Sequence, residues 1–243
     1  MKSRVILSLY VVIVLTLMSI FVCAVQPFGA QTSVVDSERA PEDTAGNDTA
    51  LAGNVTEMDI FGFSITQAWQ GYFGNVTGTV QLADASDNVM YNWSLASPEG
   101  EVYACNESSI DWASVACFDI ASNGVALEAA FGVATDDVDG VTETFSTGNG
   151  HDLFYTNNVE FTEGTCPSTQ NYDDTGAGVD NHFEEVLLTD GSYATQVIFT
   201  SILDEEDVAG FDGDLHDFEM LVLEDGHGTD TSTTTYYFWV ELE

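Results

Sequence analysis

Basic side chains are almost absent from this 243-residue chain: Lys2, Arg4 and Arg39 stand against 41 carboxylates, a formal net charge of −38. Phosphate recognition needs clusters of Lys and Arg, so nucleic acid is excluded as a partner. An anionic membrane surface is disfavoured on the same ground. The local signatures of common chemistries are missing too. No CxxC spacing occurs, and none of the four histidines stands in an HxH or HExxH pattern, so zinc has no ready ligand set. Neither a GxSxG elbow nor a phosphate-cradling glycine loop is present, and there is no internal repeat.

What the chain does have is a large apolar content, 44% hydrophobic and 12% aromatic, which separates it from a disordered acidic tail. Its carboxylates are therefore expected mainly on the surface of a folded body. Loss of the first 30 residues would leave 41 acids and one arginine, hence −40. A folded domain of roughly 23 kDa exposes about 9,600 Å², or one net charge per roughly 240 Å². At about 1 M salt the Debye length is roughly 3 Å and mutual repulsion is screened; at about 0.01 M it is roughly 30 Å and every charge feels many others. Acids spread along the whole chain with one Lys are the pattern of a protein that works in brine.

The one long apolar run, Val5 to Val25, covers 21 residues after a basic start. As a helix it would span about 31 Å, enough for a bilayer core. Residues 1–30 are thus expected to direct export, either as a cleaved signal or as a retained single anchor with its basic end inside. Val22-Cys23-Ala24 and Phe28-Gly29-Ala30 both offer a small residue before a cut. Residues 31–57 read as an acidic, extended linker, and residues 58–243 as one globular domain.

Within that domain, Ile65 to Cys105 is the densest run of strand and turn signals: Asn75-Val76-Thr77-Gly78, Asp84 to Asn88 and Ser97-Pro98-Glu99-Gly100 separate four strand-length runs. This spacing predicts an antiparallel meander. Short helices are expected at Asp111 to Ala116 and at Val125 to Phe131, the latter capped by Asn123 or Gly124. Further strands are expected over Gly140 to Ser146, His151 to Thr156, Val159 to Thr162, Phe183 to Leu188, Tyr193 to Leu203, His216 to Leu223 and Thr233 to Leu242. About eleven strands with short connections predict a mainly β fold, an antiparallel β-sandwich with an immunoglobulin-like arrangement as one form, carrying one or two short helices behind an N-terminal hydrophobic helix.

Candidate sites are few. Asp136, Asp137 and Asp139, followed by Gly140, and Asp212-Gly213-Asp214 are the best calcium candidates, although neither has the EF-hand order: Thr135 occupies the first acid position and no Glu closes the loop. No other cofactor is expected. His151, His182, His216 and His227 lie near acids and read as solvated surface residues. Glu184 and Glu185 cannot share a substrate, because neighbours in a strand face opposite ways. Trp69, Trp93, Trp112 and Trp239 could stack on sugars but fit core or sheet-face positions better. Sequons at Asn47, Asn54, Asn75, Asn92 and Asn106 crowd the linker and the meander, an expectation of N-glycosylation in an exported chain. With Cys23 in the export segment, Cys105, Cys117 and Cys166 allow at most one internal bridge and leave a spare thiol; Cys105–Cys117 is open as a local clip.

The strings AWQGYFGNVTG, MYNWS, GEVYA, FEEVLL and GHGTDTSTTTYYFWVEL resemble an uncharacterised family of secreted archaeal surface proteins, over most of the chain beyond residue 57. The resemblance brings no reaction and no ligand. It implies a Cys117–Cys166 disulfide, whose loop of about 50 residues is worth roughly 4 kcal/mol in the chain-entropy model. The expected role is non-enzymatic: an exported envelope protein of a halophilic archaeon whose partners are other envelope proteins or copies of itself, touching the membrane only through an uncleaved N-terminal segment. A carbohydrate- or partner-binding module is the alternative, and an extracellular hydrolase a more remote one.

Overall fold

The computed structural model describes residues 26–95, 98–148, 150–203, 208–224 and 233–242. The expected apolar N-terminal helix and His227 lie outside the described residues. In chain order the strands are β1 (Phe28–Gly29), β2 (Trp69–Gly74), β3 (Thr79–Ala83), β4 (Val89–Ser94), β5 (Gly100–Cys105), β6 (Ala116–Cys117), β7 (Phe154–Thr156), β8 (Val159–Phe161), β9 (Ser168–Gln170), β10 (Glu184–Thr189), β11 (Ile198–Ile202), β12 (Phe218–Leu223) and β13 (Tyr237–Leu242). The helices are α1 (Ile120–Ala130) and α2 (Val141–Thr144), with a 3-10 turn at Trp112–Ser114. The protein is mainly β, its sheets antiparallel, an arrangement consistent with a β-sandwich.

The central sheet runs β1-β13-β5-β11-β10-β6, with β9 sharing the outer edge of β10. Its side chains alternate between two cores, as the two-residue period of a strand requires. Val102, Ala104, Leu187 and Phe199 point to one face, where Met220, Val222 and Leu223 of the β2–β12 pair and Leu127 of α1 cover them. Tyr103, Cys105, Val186, Leu188 and Ile198 point to the other, under Trp112 and the β7–β8 hairpin. Cys117 and Cys166 are joined by a disulfide, Cα–Cα 5.0 Å. It ties β6 to the residue pair preceding β9, the two short strands that flank the same edge of β10. Cys105 is a free, buried thiol.

The predicted four-strand meander is not what forms. Only β3 and β4 are paired neighbours; β2 joins β12, and β5 lies between β11 and β13. Turn signals fix where a chain reverses, not which strand it then meets. Gly100 shows the constraint at the re-entry point: its φ is +118°, and a Cβ there would collide with the Glu241 carbonyl of β13. The strand expected over Gly140 to Ser146 is instead the one-turn helix α2, closed by Thr144 N and Oγ1 donating to the Gly140 carbonyl, at 3.0 and 2.7 Å. Helix α1 starts five residues before the expected Val125. Its cap is Asp119, whose Oδ1 accepts from Ser122 N at 3.1 Å, while Gly124 lies inside the helix, where a Cβ would meet the Thr142 side chain at 2.7 Å.

Residues 30–67 contain no helix or strand and are exposed nearly throughout, and Ala68 is the first fully buried residue after them. The segment expected as a linker from 31 to 57 runs on to residue 67 with only Ile65 half-buried, and because β1 before it and Ala68 after it both sit on the body it is an exposed excursion rather than a spacer. Before it, β1 lies along β13, pairing Phe28 with Val240 and Gly29 with Trp239.

Candidate interaction surface

The turn Asp84 to Asn88 builds a ribbon that stands apart from both cores. Asp84 Oδ1 accepts from Ser86 N and Asn88 N, both at 2.9 Å, and the Asn88 side chain adds two bonds to the same carboxylate. These hydrogen bonds, that of the Asn88 side chain first, hold the Asp84 carboxyl below its ordinary range. The flanking strands pair Val80 with Trp93, Gln81 with Asn92 and Leu82 with Tyr91. Alternation therefore puts Val80, Leu82, Tyr91 and Trp93 on one face and Thr79, Gln81, Asn92 and Ser94 on the other.

The apolar face is uncovered. Its four residues are 42, 51, 60 and 51% exposed in the order Val80, Leu82, Tyr91 and Trp93, and the Tyr91 and Trp93 rings lie 4.9 Å apart. Among the described strands β3 and β4 pair only with each other. A two-stranded ribbon is marginal alone in water, and a contiguous exposed apolar face marks a surface that meets something. At the ribbon's base an open groove of about 290 Å³ is lined by residues 75–78, Leu95, Pro98 and Asp217, with Val76 N donating to Asp217 Oδ2 at 2.6 Å. A second groove, about 350 Å³, is lined by residues 29–32, Ser108 and residues 236–239, beside the β1–β13 pairing.

Comparison with protein-family models, curated proteins and solved structures gives no match.

The sequon residues Asn47, Asn54, Asn75 and Asn92 are exposed and Asn106 is half-buried. Asn92, inside a strand, is on the polar face of the ribbon, so a glycan there would point away from Tyr91 and Trp93. Of the tryptophans, Trp69 packs on Phe145 and Phe199, and Trp112 lies between Tyr103 and Trp239; Trp93 alone stands on the open ribbon.

The histidines do not share one character. His151, expected at the surface, is 1% exposed: its Nε2 accepts from Cys166 N at 3.0 Å, which leaves Nδ1 to donate to the Asp152 carbonyl at 2.7 Å. Backbone groups of Cys166 and Asp152 satisfy both ring nitrogens, and that offsets the cost of burial. His182 meets Asp173 at 3.4 Å and His216 meets Asp212 at 2.9 Å. The calcium candidates are dispersed: Asp136 is exposed, Asp137 Oδ2 accepts from Ala134 N, and Asp139 Oδ2 accepts from the Thr66 hydroxyl. Among the described residues no three His, Cys, Asp or Glu side chains converge on a metal position.

Carboxylates were expected mainly at the surface, yet Glu101, Glu128, Asp173, Glu184, Glu185, Asp190, Glu219 and Glu241 are all buried. The only ion pairs among the described residues are the two His–Asp contacts, so these groups have hydrogen bonds in place of Lys or Arg. Glu101 and Glu241, opposite each other on β5 and β13, both lie 3.2 Å from the Tyr103 hydroxyl, which has one proton for the two. Burial and these carboxylates push the Tyr103 hydroxyl well above its ordinary value. Burial likewise raises Glu184, Glu219 and, most strongly, Glu185. Strand alternation could have flagged Glu185, which shares a face with Phe183 and Leu187; composition alone pointed the other way.

Proposed function

We propose that this chain is a non-enzymatic envelope protein of a halophilic archaeon, exported and held to copies of itself through the apolar face of the β3–β4 ribbon. The single observation that carries the reading is that open face of Val80, Leu82, Tyr91 and Trp93. Two such ribbons placed face to face would cover each other and leave their polar faces, including Asn92, to solvent or glycan. Molar salt screens the repulsion between two strongly acidic bodies and strengthens apolar association. The central sheet and the β2–β12 pair are read as the two layers of a β-sandwich, and the resemblance to secreted archaeal surface proteins belongs to the same proposal.

Sedimentation velocity of the full chain in molar KCl tests it. The wild type is expected to associate, and the double variant Leu82→Ser, Trp93→Ser to sediment as a monomer with an unchanged melting temperature. A wild type that is monomeric at every concentration would remove the self-association reading. The Tyr91–Trp93 pair supports a second reading, a carbohydrate-binding platform. A monomeric wild type whose glycan binding is abolished by Trp93→Ser would select that one.

A further inference from the structure

We infer that a calcium-type cation binds between α1 and α2, held by the carboxylates of Glu128 and Glu143, the Thr142 hydroxyl and the Asp137 carbonyl. Glu128 is the anchor. It is 0% exposed, its Oε1 accepts from Thr142 N at 3.0 Å and from Thr142 Oγ1 at 3.1 Å, and its Oε2 has no hydrogen-bond partner. A buried carboxylate with one orphaned oxygen is costly unless something positive meets it. The one Lys or Arg among the described residues is Arg39, in the exposed segment, so that positive group is not a side chain of the body.

Three further features lie beside this carboxylate, around its other oxygen Oε1 and the end of its helix. Glu143 Oε2 lies 2.8 Å from Thr142 Oγ1, so one hydroxyl proton faces two carboxylates and can serve only one. Gly140 keeps the space clear: a Cβ there would meet Glu143 Oε2 at 2.5 Å, Glu128 Oε1 at 3.0 Å and the Asp137 carbonyl at 3.2 Å. Oxygens from α1, α2 and the intervening loop thus gather on one side of one glycine. Glu128 also sits in the last turn of α1, where the helix end is partly negative and no basic residue is present. A cation there neutralises the carboxylates and the helix end together.

The donor set selects the ion. All the donors are oxygens, which suit a hard cation, and a main-chain carbonyl with two carboxylates in an irregular arrangement suits the flexible shell of calcium better than the octahedron of magnesium. Glu143 is exposed, so the ion has a route in and can complete its shell with water. The site differs from the run of aspartates visible in the sequence: Asp136 and the Asp139 carboxylate take no part. Asp139 has another role, its carbonyl accepting from Trp69 Nε1 at 2.6 Å, so the loop that the cation fixes is also fastened to β2.

That indole supplies the assay. Terbium is titrated into the full chain in molar KCl after removal of divalent ions, with excitation through tryptophan. One saturable luminescence signal is expected, displaced by calcium, with apparent affinity weakened about tenfold or more in Glu143→Gln, an exposed change that the fold tolerates. Asp136→Asn should bind as the wild type does. Glu128→Gln should lose the signal while near-ultraviolet circular dichroism reports its fold. Equal affinity of Glu143→Gln and wild type would overturn the site, and so would an equal loss in Asp136→Asn, which would mean diffuse condensation on an acidic surface.

Discussion

Glu185 lies between the central sheet and β12, and replacing it with Gln should change how stability depends on pH. Its Oε2 accepts from Leu221 N at 2.8 Å and from the Asn171 amide at 3.4 Å; its Oε1 has no hydrogen-bond partner, and burial raises its pKa well above 4.5. The folded protein therefore holds a proton on Glu185 more tightly than the unfolded chain does. That contribution to stability is complete below a pH of about 4.5 and is lost as pH climbs to the folded pKa, at about 1.4 kcal/mol per pH unit. Burial raises Glu184 and Glu219 in the same direction. Asp84, Asp119, Asp173, Asp190 and Asp212 are pulled below 3.8, so their contributions vanish only in stronger acid. Between about pH 3.8 and 4.5 both of these sets of groups therefore contribute to stability together. In Glu185→Gln the amide oxygen keeps both donors, and the amide nitrogen inherits the orphaned position at a cost that offsets part of the gain. A net stabilisation of about 1–2 kcal/mol at neutral pH is expected, together with a shallower decline above pH 4.5. Urea unfolding in molar KCl, repeated across this pH range, measures both. Parallel pH profiles for variant and wild type would refute the reasoning, because surface repulsion is common to the two proteins and only Glu185 differs.

Three more outcomes can be checked on the same preparation. Burial pushes the Cys105 thiol up to about 11, so the native protein should resist a thiol reagent at neutral pH and react only after denaturation. Reducing Cys117–Cys166, whose partners are 49 residues apart, should lower unfolding free energy by about 2–4 kcal/mol, seen as an earlier urea midpoint. Gly100→Ala should cost about 2 kcal/mol or more, because its φ of +118° and the neighbouring Glu241 carbonyl both oppose a Cβ.

The parts legible in the sequence are those set by local rules. Strand periodicity located β10, β12 and β13 to within a few residues, and it placed Glu184 and Glu185 on opposite faces: Glu184 accepts from Asp152 N and Glu185 from Leu221 N. Sheet order was hidden, because β2 and β12 meet across more than a hundred residues with nothing local to announce it. Strands of two or three residues such as β1, β6 and β9 exist only because a longer strand offers them an edge. The ribbon's strands were legible, its open face was not: MYNWS reads equally well as buried or exposed until its neighbours are known. The cation site stayed hidden for the same reason, since Glu128 and Glu143 meet only through the packing of two helices.

The carboxylates have almost no cationic side chains to meet, so the decisive measurement is the melting temperature of the full chain, first in molar KCl and then after dialysis into dilute buffer free of divalent ions. A large fall, reversed when salt is restored, is the predicted result. An unchanged melting temperature in dilute buffer would contradict it.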